Sequence, residues 1–124
     1  MWSVSIIDRE QPIIELVWAG KVQPEEVPQA NVKIAECIRE LGNRPFDMLV
    51  DTSKLISFPA ETQRLIVEQQ KWVLSEGMRK SAVVTPNEVV NITLDVTRRK
   101  SGHSEEYKFR TREEAMAFLK SSKQ

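Results

Sequence analysis

The chain is poor in the residues that metal sites and disulfide frameworks require. Its 124 residues include one cysteine and one histidine, so an internal disulfide cannot form and a cysteine-rich metal site is excluded. The four glycines stand singly, and none belongs to a glycine-rich phosphate-binding loop. We therefore expect neither a bound metal nor another cofactor.

An excess of charge of either sign is also missing. Eighteen basic residues balance eighteen acidic residues, which removes any overall attraction to nucleic acid or to an anionic membrane. No apolar run approaches the ~20 residues that cross a bilayer. The segment 1–5 lacks the charged leader and apolar run of a secretory signal. These absences predict a cytoplasmic protein.

The composition that remains is that of a globular protein. Apolar residues make up 40% of the chain and charged residues 29%, proportions that support a buried core. A chain of this length normally forms one domain. We expect a single domain over residues 1–124.

The first two strands are predicted from alternation. Val4 and Ile6 alternate with polar neighbours, and after a polar link the same pattern runs from Ile14 to Trp18 and stops at Gly20. Two strands joined by a short link favour an antiparallel hairpin. Trp18 is the expected core anchor, because a large ring on an alternating face buries much apolar area.

A strand–helix–strand crossover is predicted further along the chain. Short apolar strands at 48–50 and 82–84 flank a helical pattern that Pro59 opens and Gly77 ends. Such a crossover normally joins parallel strands. An earlier helix is expected from Pro24, which suits a first helical position, to Gly42, which suits a stop.

The C-terminal third contains one ambiguous segment. Residues 87–100 alternate as a strand does, yet they also fit a helix, and a crossover is needed before the next strand. We interpret them as a helix. Tyr107 and Phe109 then predict a last strand, and the 111–114 segment is a capping box that opens a terminal helix. The predicted class is α/β: a single mixed sheet with an N-terminal antiparallel hairpin and parallel strands joined by helices, in the order β-β-α-β-α-β-α-β-α.

Four segments in this order carry a resemblance to a known family. They are residues 18–21 (WAGK), 46–51 (FDMLVD), 80–84 (KSAVV) and 107–119, which ends in EEAMAFL. The chain resembles the STAS-like superfamily, which includes anti-sigma-factor antagonists, and it is most similar to small stand-alone bacterial members described as STAS-like or lipid-transfer-like. The resemblance covers nearly the whole chain and implies a cytosolic regulatory or binding role.

The resemblance does not extend to the phosphorylation element of that family. Antagonists carry an Asp-Ser-Ser-Gly-like element, with a phosphorylated serine, where the helix after the third strand begins. Here the region reads ISFPAET over residues 56–62. Ser57 and Thr62 are the nearby hydroxyls, and neither stands in an Asp-Ser pair.

Candidate binding residues lie at the polar ends of the two central strands. Asp51, Ser53, Thr85 and Asn87 are predicted to meet at the carboxyl edge of the sheet, where ligands of open parallel sheets often bind. Trp72 is added as an apolar contact. The alternative is that the polar residues are ordinary turn formers and caps.

Catalytic residues are scarce. His103 lies in a polar loop without a cysteine or histidine companion. Asp47 and Asp51 are four apart and share a face if the strand is unbroken, so a hydrolase that uses carboxylates alone stays open. The basic residues 98–100, with Arg110 and Arg112, are read as a solvated basic face.

Three functions follow from these observations. The first is a non-enzymatic regulatory domain of the STAS-like type that binds a protein partner or a second copy of itself, without a phosphoserine switch. The alternative is a small-molecule or lipid-binding domain with an apolar pocket between the 59–76 and 87–100 helices. The third is the carboxylate hydrolase.

Overall fold

Five strands and three helices are present in the computed structural model, which describes residues 1–85, 100, 102 and 105–121. In chain order they are β1 (Trp2–Asp8), β2 (Ile13–Lys21), α1 (Glu26–Glu40), β3 (Phe46–Ser57), α2 (Ala60–Ser75), β4 (Met78–Val84), β5 (Glu106–Phe109) and α3 (Arg112–Ser121).

The strands form one mixed sheet in the order β1-β2-β3-β4-β5. β1 and β2 are antiparallel, and the remaining neighbours are parallel. Leu49 pairs with Ala82, so the predicted crossover between β3 and β4 is confirmed. The predicted α/β class with an N-terminal hairpin is therefore correct. The predicted helix over 87–100 lies almost wholly outside the described residues.

Each face of the sheet buries its own apolar cluster. The larger cluster lies under α1 and α2 and contains Trp18, which is 2% exposed and confirms the expected anchor. The smaller cluster lies under α3, where Ala115 and Leu119 are fully buried against Leu49. Helices on both faces are what a mainly parallel sheet requires.

The two ends of α1 illustrate how local chemistry sets helix boundaries. α1 begins at Glu26 and not at Pro24, because residues 23–26 form a turn in which Glu26 N donates to Gln23 O at 3.0 Å. The predicted stop at Gly42 is confirmed. Gly42 has a φ of +74° and Asn43 a φ of +57°, a left-handed conformation that glycine and asparagine adopt most easily.

The sequence-based expectation for β3 is wrong at its C-terminal end. β3 does not stop at Val50, because it continues to Ser57 by pairing with β2 as far as Lys21. Asp51 and Ser53 are therefore inside a strand. β2 likewise runs past Gly20, which has a φ of +69° beside an irregularity in the ladder.

The predicted inner face of α2 is only partly correct. Ile66 and Val73 are buried, whereas Leu65 and Trp72 are half-buried at the margin of the core. Cys37 is 3% exposed within the buried face of α1, as expected for a small apolar side chain. Within the described residues, no helix has the length and apolar character required to cross a membrane.

Candidate functional site

The parallel strands place their carboxyl ends at one edge of the sheet, and the helices begin there. We call the exposed surface at this edge the strand-end face and define it by Lys21, Ser53, Lys54, Ile56, Ser57 and Phe58. All of them except the half-buried Phe58 are exposed. The face is built mainly by the part of β3 that continues beyond its last pair with β4, Asp51 with Val84.

This extension of β3 contains two irregularities. Val17 pairs with Asp51 but Ala19 pairs with Lys54, so one extra residue is accommodated between them. Ser53 N donates to the Asp51 carboxylate at 2.9 Å across the same stretch. A carboxylate that bonds the backbone two residues ahead stabilises a local turn. Asp51 and Ser53 thus lie together, and their observed bond fits the turn-forming interpretation.

The second irregularity exposes an apolar side chain. Gly20 pairs with Leu55 and Lys21 pairs with Ser57, which leaves Ile56 as the extra residue. Ile56 is 65% exposed, while Leu55 beside it is buried. Bulges re-aim side chains and are common beside functional sites. The bulge therefore holds an isoleucine in solvent in the middle of the strand-end face.

Thr85 is also at this edge but is buried. Its N–H donates to Phe109 O at 2.9 Å, and the residue is 7% exposed. The neighbouring Thr52 hydroxyl, 1% exposed, donates to Val84 O at 2.6 Å. The two threonines thus tie β4 to its neighbours. The fourth predicted residue of this group, Asn87, lies outside the described residues.

The start of α2 lacks a capping hydroxyl. Pro59 is the N-cap residue, and no side chain caps the helix. Thr62 is fully buried, and its hydroxyl donates to Val22 O at 3.0 Å. Ser57 is exposed at the end of β3. Of the two hydroxyls that the sequence offers here, one faces solvent and the other is enclosed.

The two carboxylates of β3 do not form a catalytic pair. Four residues along a strand separate them by about 13 Å, beyond the reach needed for joint acid–base work. Asp47 is fully buried, and Arg79 Nε lies 3.4 Å from its Oδ1. Asp51 is half-buried. The other candidate for acid–base work, His103, lies outside the described residues.

The expected basic face is partly neutralised where it is described. Arg112 Nε donates to a carboxylate oxygen of Glu15 at 2.8 Å. That hydrogen bond, with a smaller contribution from the charge of Asp51, raises the pKa of Arg112. Lys100 is exposed, and Arg98 and Arg99 lie outside the described residues.

Trp72 lies away from the strand-end face. α2 begins at that face and runs twelve residues from Ala60 to Trp72, which corresponds to about 18 Å along the axis. The predicted set is therefore divided, with Trp72 at the opposite end of the sheet.

A cavity of about 30 Å³ lies under α2, and its apolar wall includes Trp18, Met48 and Ile66. A space of that size holds one or two water molecules and no acyl chain. The described residues alone form no apolar pocket large enough for a lipid there. Ile92 and Val96, from the other helix of the expected pocket, lie outside the described residues.

Comparisons with known proteins agree with this fold. A model of the SpoIIAA-like family matches residues 13–120. The chain belongs to the SpoIIAA-like family. The predicted resemblance to anti-sigma-factor antagonists is thus confirmed. Among curated protein sequences, none is significantly similar to this chain.

Two solved structures share the fold of this SpoIIAA-like chain. One is an uncharacterized protein of the DUF3478 family with a SpoIIAA-like fold from Shewanella loihica, with a TM-score of 0.74 and 13% identity over 95% of this chain and 93% of that one. The other is the anti-sigma factor antagonist SpoIIAA in its unphosphorylated form, with a TM-score of 0.66 and 12% identity over all of both chains. At these identities the likeness establishes the fold.

Sequence reasoning does not identify Ile56 as a candidate. The one available signal is the apolar pair Leu55-Ile56 directly after four polar residues, which indicates that the strand resumes. Adjacent apolar residues point to opposite faces of a strand, but both faces of this sheet bury apolar clusters, so the pair alone does not show which residue is exposed.

Proposed function

We propose that this protein is a non-enzymatic regulatory domain that binds a protein partner through the strand-end face. The observation that carries the proposal is the 65% exposed Ile56, which a bulge holds beside the start of α2. An exposed apolar side chain among polar neighbours is a usual anchor of a protein interface. The fold it shares with an anti-sigma factor antagonist supports the same role.

The proposed binding does not depend on a phosphate at Thr62, in the first turn of α2. Pro59 occupies the cap position and has no hydroxyl, and the Thr62 hydroxyl is enclosed and bonded to Val22 O. A kinase needs an accessible hydroxyl, and a phosphate at Thr62 would bury about two negative charges. We infer that the extent of binding depends on the concentrations of the two proteins and not on phosphorylation at this helix.

The charges of the strand-end face favour an acidic or neutral partner surface. Lys21 and Lys54 are exposed on either side of Ile56 in the β2–β3 ladder. Rim charges of this kind accelerate association more than they add affinity. We expect the partner to present an apolar pocket for Ile56 with carboxylates at its rim.

Two substitutions, at residues of closely similar exposure, test the proposal. Ile56→Asp removes the anchor, and Val32→Asp places the same charge on α1, where Val32 is 62% exposed. Immobilised wild-type protein and Val32→Asp are expected to retain the same protein from an extract of the source organism, and Ile56→Asp to lose it. With the retained protein purified, Ile56→Asp should raise Kd at least tenfold.

Equal binding by the two variants would contradict the proposed face. If Val32→Asp alone abolished binding, the interface would lie on α1 and not on the strand-end face. Circular dichroism melting curves of both variants must match that of the wild type, so that a loss of binding cannot be attributed to unfolding.

The remaining expectations belong to the same proposal. A cytoplasmic location agrees with a role in binding a regulatory protein. The absence of catalysis is supported by the separation of Asp47 from Asp51 and is tested by a hydrolase screen with Asp51→Asn as the control. Activity in the wild type that Asp51→Asn abolishes would overturn it.

A further inference from the structure

β1 forms one edge of the sheet, and its pairing with β2 determines which backbone groups point outward. Met1 N lies 3.0 Å from Ala19 O, and Ala19 N lies 2.8 Å from Met1 O, so these residues exchange both hydrogen bonds. In an antiparallel ladder such pairs alternate with pairs that exchange none. The register is unbroken from residue 2 to residue 6. Trp2, Val4 and Ile6 therefore direct their N–H and C=O groups away from β2.

This edge lacks the features that normally prevent pairing with another strand. Proteins protect edge strands with charges, proline, bulges or short length. Residues 2–7 contain neither a charge nor a proline, and the one irregularity falls after Ile6. The edge at the other side of the described sheet is protected, because β5 has four residues and includes Glu106 and Lys108.

The side chains along β1 divide cleanly between the two faces of the sheet. Val4 is 7% exposed in the core under α1, and Trp2 and Ile6 are half-buried against the same cluster. Ser3 and Ser5 point to the opposite face and are exposed. A strand added to this edge would thus meet apolar side chains on one face and serine hydroxyls on the other.

We propose that β1 pairs antiparallel with β1 of a second copy, which joins the two sheets across a twofold axis at Val4. In this register Val4 lies opposite Val4 of the second copy, and Trp2 lies opposite Ile6. All the outward N–H and C=O groups of the three residues find partners, since each sits in a hydrogen-bonding position of the new ladder. The aromatic–β-branched pairs add stabilisation, and a twofold axis requires this self-complementarity.

The surroundings of β1 favour a second copy over a charged peptide. A groove of about 160 Å³ lies between β1 and α1. Its rim is neutral, because Arg9 pairs with Glu40 at 3.3 Å and Lys33 pairs with Glu36 at 3.7 Å. A neutral rim neither repels its own copy nor selects a partner of one sign.

The direction of α1 fits the same arrangement. Trp2 Nε1 donates to Gln29 Oε1 near the start of α1, and Arg9 pairs with Glu40 at its end. α1 therefore runs in the same direction as β1. In the proposed dimer the two α1 helices lie on one face of the joined sheet and run in opposite directions, an arrangement that their dipoles favour.

The register supplies a charge-swap test by analytical ultracentrifugation. Ser3 lies opposite Ser5 of the second copy, and both are exposed, so charged variants keep the fold. Wild type is expected to shift from 14.3 kDa toward twice that mass as its concentration rises from micromolar to millimolar. Ser3→Lys/Ser5→Lys opposes like charges and should raise the dimer Kd about tenfold. Ser3→Lys/Ser5→Glu opposes unlike charges and should restore the dimer.

Amide hydrogen exchange provides an independent readout of the register. The amides of Trp2, Val4 and Ile6 should exchange fast in dilute protein and slow as the dimer forms. The amides of Ser3 and Ser5 should be protected at every concentration, because they bond to β2. An even–odd alternation that depends on concentration is specific to pairing through this edge.

Three outcomes would overturn the proposal. They are a wild type that stays monomeric at millimolar concentration, a dimer whose Kd is the same in both double variants, and a dimer in which the amides of residues 2, 4 and 6 stay unprotected. The β1 edge shares no residue with the strand-end face, and β2 lies between β1 and β3. Loss of the dimer therefore leaves the Ile56 experiment intact, and Ile56→Asp should leave the dimer intact.

Discussion

The hydroxyl of Thr62 donates a hydrogen bond to Val22 O, 3.0 Å away, and so joins the first turn of α2 to the residue that follows β2. Thr62 is fully buried and Val22 fully buried with it. Thr62→Val keeps the shape of the side chain and removes the donor. We expect the free energy of unfolding in urea to fall by about 1–2 kcal/mol.

Thr62→Glu tests the same contact with a charge. A carboxylate without a partner in this enclosed position should lower the free energy of unfolding by more than about 3 kcal/mol. Ser57→Glu is the control, since Ser57 is exposed five residues earlier and should change stability by less than about 0.5 kcal/mol. If Thr62→Glu were as stable as the wild type, the argument that burial of Thr62 excludes a phosphate at this position would be wrong.

The second face of the sheet depends on α3. Leu119 is fully buried against the cluster that includes Leu49 and Ala82. Leu119→Ala should lower the free energy of unfolding by about 2–5 kcal/mol, because it leaves a cavity and removes apolar contact. Glu113→Ala on the exposed side of the same helix is the control. A change below about 1 kcal/mol in Leu119→Ala would show that α3 is dispensable to the core.

The start of α3 has one half of the capping box that the sequence predicts, the bond from Glu114 N to the Thr111 side chain. Glu114 N donates to the Thr111 hydroxyl at 3.2 Å, and that hydroxyl lies 3.2 Å from the Glu114 carboxylate. Thr111→Ala should reduce the free energy of unfolding by about 0.5–2 kcal/mol. Thr111→Ser keeps the hydroxyl and should therefore retain most of the stabilisation. Equal losses in both variants would mean that the threonine methyl group, and not the hydroxyl, stabilises the turn.

Asp8 should make the free energy of unfolding depend on pH. The hydrogen bond from Lys120 is the main cause of a lowered pKa of Asp8, and Gln11 N adds a second hydrogen bond at 3.0 Å. The folded-state pKa of Asp8 lies below the ordinary value of 3.8. The contribution of Asp8 to the free energy of unfolding is therefore fully present above pH 3.8 and is lost as pH falls through the folded-state pKa. The Lys120 side chain that pairs with Asp8 is exposed to solvent, which screens the interaction, so we expect at most about 1 kcal/mol.

Asp8→Asn isolates this charge, since the amide oxygen can still accept from Gln11 N. Urea unfolding of the two proteins should differ most at neutral pH, and the difference should vanish in strong acid. A difference that does not change with pH would assign the effect to packing.

Sequence patterns predict the parts of the fold that depend on local periodicity. The helix stop at Gly42 follows from conformational preference, and the crossover between residues 48 and 84 follows from two apolar strands around an amphipathic helix. The extension of β3 to Ser57 does not follow in this way. Asp51 and Ser53 favour turns locally, yet hydrogen bonds to β2, more than thirty residues away in sequence, keep them in the strand.

The candidate site was harder to predict than the fold for the same reason. Asp51, Ser53 and Thr85 do lie near one another, because Asp51 forms the last β3–β4 pair with Val84, the residue before Thr85. The Asp51 carboxylate is bonded locally and Thr85 is buried, whereas Ser53 is exposed; whether any of them binds a ligand stays a prediction. Ile56 is exposed only because a ladder irregularity adds one residue, and register of that kind is a property of the paired strands rather than of either sequence segment.

The position of Cys37 gives the protein an internal reporter. Burial raises the pKa of its thiol, and the side chain is 3% exposed on the face of α1 that packs on the sheet. An alkylating reagent can therefore reach the sulfur only when α1 separates from the strands beneath it. Because the chain has no second thiol, the labelling rate of unmodified protein measures how often that separation occurs, without any engineered probe.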